Sequence, residues 1–283
     1  MIDPEALLAF SLCLSDEERR LEDMVAWWAR VGSHLTSLQR FRSLSRRFPG
    51  QEGTRTLGTY ARMAVAAGDK RWARYVVRLE RDEGEGRGAR RGRDEPNLME
   101  PCTLWLRLRA GLGVGAKADI LAFLLGSNGQ WASAKTIAFA THYSGVTIRK
   151  AAGEMALARL IRDTDDRPTE YRAPSAPWWE LLQPKPRSEG PGAAAEAPGW
   201  RYWSEIFAFL VGVMEWSRAA ADTAGGSPYV VASEARDLME KHRKAFTLAG
   251  VQTPPAEAFP GREAPEDLAE TVEVVLGWMR EAL

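Results

Sequence analysis

Residues Trp131 to Ile161 read WASAKTIAFATHYSGVTIRKAAGEMALARLI, and the spacing of their apolar positions decides the fold. Ser133 is placed to cap a short helix whose buried face is Ile137, Ala138 and Ala140. A four-residue turn follows, Thr141-His142-Tyr143-Ser144. Ser144 is a good N-cap for a second, longer helix, because its hydroxyl can accept from the backbone N–H groups that a helix start leaves unpaired. In that helix Ile148, Ala152 and Met155 share one face at helical spacing. The opposite face offers Gly145, Thr147, Arg149, Lys150 and Gly153. Two cations near the start of a small-sided helix suit a DNA major groove.

The flanks extend the pattern. Ala116 to Leu125, AKADILAFLL, reads as a preceding helix, and Gly126-Ser127-Asn128-Gly129 as a turn. Trp131 is placed for a short strand. Leu160-Ile161-Arg162 and Tyr171-Arg172 flank Asp165-Asp166-Arg167-Pro168, a hairpin tip by composition. Over about residues 114–173 the chain resembles the winged helix-turn-helix superfamily of bacterial transcription regulators. The residues that carry the resemblance are Ile137-Ala138, Ser144-Gly145-Val146-Thr147-Ile148 and Leu160-Ile161. The resemblance implies a module that reads double-stranded DNA, commonly as a homodimer. Thr147, Arg149 and Lys150 would approach bases. Ser144 would cap the recognition helix and present its N–H groups to phosphate. Lys135 and Arg167 would contact the backbone.

A winged helix can also dock protein, since a fold does not fix a function. Asp163, Asp165 and Asp166 crowd the hairpin and repel phosphate. Residues 114–172 hold eight Lys/Arg against six Asp/Glu, a net of about +2, which is weak for a nucleic-acid footprint. A non-enzymatic adaptor in a defence or toxin–antitoxin operon therefore stands beside the DNA reading.

The rest of the chain reads as helices. The expected fold is mainly α: a central winged helix-turn-helix with a small β-hairpin wing, flanked by N- and C-terminal helical bundles. The expected units are an N-terminal domain over 1–98, the winged helix with its leading helix over 99–182, a Pro/Gly/Ala-rich linker over 183–199 and a C-terminal domain over 200–283. Asp3-Pro4-Glu5 is a helix start, with a capping Asp and then Pro at the first position. Ser15 and Glu18 have the separation of a capping box. A helix over Leu35 to Phe48 puts Leu38, Phe41, Leu44 and Phe48 inward and leaves Arg40, Arg42, Arg46 and Arg47 on its other sides. Thr54 to Ala67 and Asp69 to Arg81 predict a helical hairpin. Glu83 to Glu95 reads as a linker. After residue 199, helices are predicted over 200–222, 232–248 and 266–283.

The formal net charge of the 283 residues is zero but uneven. Residues 36–93 carry fifteen Lys/Arg against six Asp/Glu, and residues 188–283 carry eight against fifteen. The basic part faces an anion or attracts the acidic end. Cys13 and Cys102 have no metal spacing with His34, His142 or His242 and suggest no disulfide framework. No catalytic constellation, cofactor motif, signal peptide or membrane span is evident. The expectation is a non-enzymatic cytoplasmic protein. Eleven tryptophans fit core packing better than an aromatic-lined effector pocket, which stays a possibility.

Overall fold

The computed structural model describes residues 1–48, 52–76, 95–182, 198–222, 227–253 and 264–282. Among these residues the protein is mainly helical, with one small three-stranded antiparallel sheet. The two expected linkers, 83–95 and 183–199, lie almost wholly outside the described residues. No helix among the described residues is long and apolar enough to cross a membrane.

The N-terminal part comprises α1 (Pro4–Cys13), α2 (Arg19–Val31), α3 (Leu38–Ser45) and α4 (Glu52–Ala66), with 3-10 turns at Ser33–Leu35 and Lys70–Tyr75. Asp3 caps α1 as its sequence predicts, its carboxylate accepting from Ala6 N at 3.1 Å. The Ser15/Glu18 capping box does not form. Ser15 lies at the end of α1 and its hydroxyl bonds back to the Leu12 carbonyl, while Glu18 alone caps α2 through Arg20 N. The predicted helix over 35–48 is shorter, because Ser37 supplies the N-cap of α3. After α4 the chain forms the 3-10 turn rather than a second α-helix up to Val76, and the remainder of that predicted helix lies outside the described residues. Trp72 in the turn is fully buried, edge-on to Phe41 and Tyr60.

The middle part runs α5 (Leu104–Leu112), α6 (Ala116–Gly126), β1 (Ala132–Ser133), α7 (Ala134–Thr141), α8 (Gly145–Leu157), β2 (Arg162–Asp163), β3 (Glu170–Arg172) and α9 (Ser175–Leu182). Residues Ala118 to Gly126 are buried on every side of α6, as expected of a helix that is apolar all round. α5, α7, α8 and β3 pack on it. The sheet order is β1-β3-β2, with Ala132 opposite Tyr171 and Asp163 opposite Tyr171 from the other side. The C-terminal helices α10 (Trp203–Asp222), α11 (Pro228–Ala249) and α12 (Ala264–Ala282) pack in sequence, and α10 also packs on α1. Trp105, Trp72 and Trp203 are fully buried, so these tryptophans serve packing.

Arg40 corrects the amphipathic reading of α3. It is fully buried, in a cluster with Asp3, Glu5, Arg109 and Asp119. Arg109 is the hub. Its Nε and Nη2 donate to Asp119 at 2.8 and 2.9 Å, and its Nη1 and Nη2 donate to Glu5 at 2.5 and 3.0 Å. Arg40 donates to Asp3 at 2.6 Å and to Glu5 at 3.3 Å, and its guanidinium lies 4.3 Å over the Trp105 ring. Asp119 also accepts from Trp105 Nε1 at 2.6 Å and from the Tyr143 hydroxyl at 2.9 Å. Burial alone would raise the Asp119 pKa, but the Arg109 and Arg40 guanidiniums hold it below the usual carboxylate range. Removing one partner of such a cluster strands a buried charge. Arg109→Met should therefore lower stability by about 3–5 kcal/mol, read by urea denaturation. Arg42→Met on the exposed face of α3 should stay within about 0.5 kcal/mol.

Candidate nucleic-acid interface

α7 and α8 begin as their sequences dictate. Ser133 accepts from Thr136 N at 3.2 Å, and Ser144 from Thr147 N at 3.1 Å. His142 closes α7 in the left-handed conformation, φ 59°, its N–H bonding to Ala138 O. α8 ends in a Schellman arrangement, with Arg159 N to Ala156 O at 2.9 Å and Leu160 N to Met155 O at 3.0 Å. Arg159 fills the left-handed position, φ 59°, that glycine usually takes. Ile148, Ala151, Ala152 and Met155 are buried against α6 and α7. The other face of α8 is open: Val146, Arg149, Lys150, Gly153, Glu154 and Leu157 are exposed.

The six residues singled out from sequence fall in three places. Ser144, Thr147, Arg149 and Lys150 gather on the first turns of α8, whereas Lys135 is exposed at the start of α7 and Arg167 is exposed in the β2–β3 turn. The Thr147 hydroxyl is engaged by Ser144 at 2.8 Å. Arg149 folds along its own helix, since a Cβ on Gly145 would lie 3.4 Å from its Nη1. A guanidinium beside the positive end of a helix is unfavourable until an anion joins it. Neither Arg149 nor Lys150 forms a salt bridge among the described residues, although Lys150 acts on Glu154 at longer range. Glu154, one turn further on, is taken by Lys117 at 2.8 Å, which lowers its pKa.

The segment around the hairpin adds Arg159 and Arg162, two cations not among those singled out from the sequence, beside Arg172. Arg159, just after α8, and Arg162, the first residue of β2, are exposed. Arg172 stacks 4.5 Å over the Trp131 ring, a cation–π pair that explains a half-exposed tryptophan beside β1. Burial first, then Asp163, raises the Tyr171 pKa, and Arg149 opposes them. Arg149 therefore acts on the β3 side of α8. Asp165 and Asp166 are exposed beside Arg167.

The turn between α7 and α8 is held from outside. His142 Nδ1 is 2.9 Å from Arg47 Nη1, and its Nε2 is 2.7 Å from Ser204 Oγ at the start of α10. Arginine only donates, so Nδ1 accepts and the neutral ring carries its proton on Nε2. Nε2 then donates to Ser204. The His142–Ser204 contact therefore has the wrong polarity for a base activating a nucleophile. Arg47 also pairs with Glu205 at 2.7 Å. Tyr143, the next residue, reaches Asp119 and lies 3.3 Å from Ser37 Oγ. No group of three or more His, Cys, Asp or Glu among the described residues is placed to hold a metal ion. Neither Cys13 nor Cys102 is in a disulfide, the first being buried and the second exposed. Comparison with known proteins finds no matching family model, no similar curated protein and no similar solved structure.

Burial, then Arg40 and Arg47, push the His142 pKa well below its ordinary value. Burial pushes His242 down to about 4. Groups lowered in this way favour folding while neutral, and that stability is lost as pH falls below about 6.5. Glu205 is raised by burial, and its contribution runs the other way. Wild type minus His142→Asn isolates one term: the stability difference should shrink by about 1 kcal/mol from pH 7.5 to 5.5. Urea titrations at both values measure it.

Proposed function

We propose that residues 116–172 form a winged helix-turn-helix that binds double-stranded DNA, with α8 in the major groove, and that the chain is a transcription regulator. The element order α6-β1-α7-α8-β2-β3 and the pairing of β1 with β3 support the fold. The observation that carries the DNA reading is the exposed Arg149 and Lys150, neither in a salt bridge among the described residues, on a helix whose other face is buried. The one acid on that helix, Glu154, pairs with Lys117 at 2.8 Å as well as acting on Lys150. Lys135, Arg162, Arg167 and Arg172 supply backbone contacts to either side. A homodimer of such modules would seat two copies of α8 about 34–36 Å apart on one face of the duplex.

A second reading rests on specific residues. Val146 is 69% exposed and Leu157 is 88% exposed on α8, and Asp165 and Asp166 sit at the hairpin tip. These fit an adaptor whose α8 docks protein. Salt dependence separates the two, because phosphate contacts weaken steeply as salt rises. Arg149→Ala/Lys150→Ala should leave thermal stability unchanged and weaken duplex binding about tenfold or more. Fluorescence anisotropy on DNA from upstream of the gene measures this. Equal affinity in the double variant removes α8 as the reading element, and salt-independent retention of a protein instead of DNA favours the adaptor.

A further inference from the structure

A cluster of exposed arginines lines a cleft on the N-terminal bundle. Arg42 and Arg46 lie one turn apart on the outward face of α3 and share a cleft of about 400 Å³ with Gln39, Ser43, Arg74 and Tyr75. All three arginines are exposed. None has a carboxylate partner among the described residues, and Arg74 only stacks on Tyr75 at 4.8 Å. Like charges one helical turn apart repel, so the arrangement is unfavourable while the cleft holds no anion. Asp69, which caps the 3-10 turn that carries Arg74, is engaged by Arg71, accepting from its Nε at 2.9 Å and its Nη2 at 2.6 Å.

The walls are fixed by the core rather than by the arginines. Phe41 and Leu44 anchor the inner face of α3, and Trp72, edge-on to Phe41 and Tyr60, anchors the 3-10 turn that carries Arg74. Apolar burial therefore sets the backbone positions from which the three arginines reach the cleft. The volume falls in the range of small-ligand sites. Guanidinium forks match phosphate oxygens in pairs.

We infer that the cleft formed by Arg42, Arg46 and Arg74 binds a phosphate-bearing anion. The chemistry has two sources, a free phosphorylated small molecule or the phosphate backbone of DNA. Arg46 precedes Arg47, whose guanidinium touches His142 in the turn before α8, so the cleft lies on the segment that abuts that turn. The assignment does not depend on α8 reading DNA.

Isothermal titration of the full chain with pyrophosphate at low ionic strength tests it, alongside DNA affinity measured across a salt series. The variants are Arg42→Gln/Arg46→Gln, Arg74→Gln and, as a control, Arg149→Ala/Lys150→Ala. Thermal melting checks that each is folded. Saturable pyrophosphate binding that falls about tenfold or more in the α3 variant, and persists in the α8 variant, supports the site. If DNA is the source, the α3 variant lowers the log–log salt slope by about 2. An unchanged slope with pyrophosphate still bound assigns a small phosphorylated ligand. No saturable pyrophosphate binding together with an unchanged slope overturns the inference, as does binding that survives all three arginine changes. If the wild type binds no DNA, the pyrophosphate titration alone decides. Loss of DNA binding in the α8 control with pyrophosphate binding intact marks the two sites as separate.

Discussion

Arg109 and Asp119 face each other fully buried, within a cluster of compensating charges to which four helices contribute. Two buried guanidiniums meet three buried carboxylates drawn from α1 or its cap, α3, α5 and α6. A cluster of this kind adds little net stability over apolar packing, because desolvation offsets much of the attraction. Its effect lies in the alternatives it disfavours. If α1 or α3 shifts by one turn, a buried charge loses its partner. Each hydrogen bond therefore acts as a register mark between helices that apolar contacts alone would let slide.

Tyr143 carries that register to the turn before α8 through Asp119. From the other side, Arg47 joins His142 to Glu205, and Ser204 accepts from the same ring. The turn is thus clamped between the N-terminal bundle and α10. In the proposed function, a helix oriented in this way would need little reordering to bind, so more of the contact energy would appear as affinity. The arrangement also links titration to geometry, because protonating His142 would set a second cation against Arg47.

Local features were legible in the sequence because their causes are local. Asp3, Ser133 and Ser144 cap the helices they precede, and Ile137, Ile148, Ala152 and Met155 are buried, as helical spacing requires. Arg40 was misplaced because amphipathic spacing assigns an arginine to solvent, and its partners lie 37 and 35 residues away in Asp3 and Glu5. The Ser15 hydroxyl donates to the Leu12 carbonyl at the end of the preceding helix instead of accepting from an N–H of α2, a choice that local spacing does not encode. The His142 clamp joins residues 62 and 95 positions apart, and no periodicity encodes that. The cleft on α3 combines two arginines that spacing puts together with a third that only tertiary packing brings near.

The central claim is that α8 and the β2–β3 hairpin are the face that meets DNA. Amide hydrogen exchange of the full chain, with and without a duplex carrying the sequence upstream of its gene, tests it most directly. The account predicts slowed exchange in the first turns of α8 from Gly145 and in the turn between β2 and β3, with α10 and α12 unchanged. Slowed exchange confined to other helices, or none at saturating duplex, would contradict it.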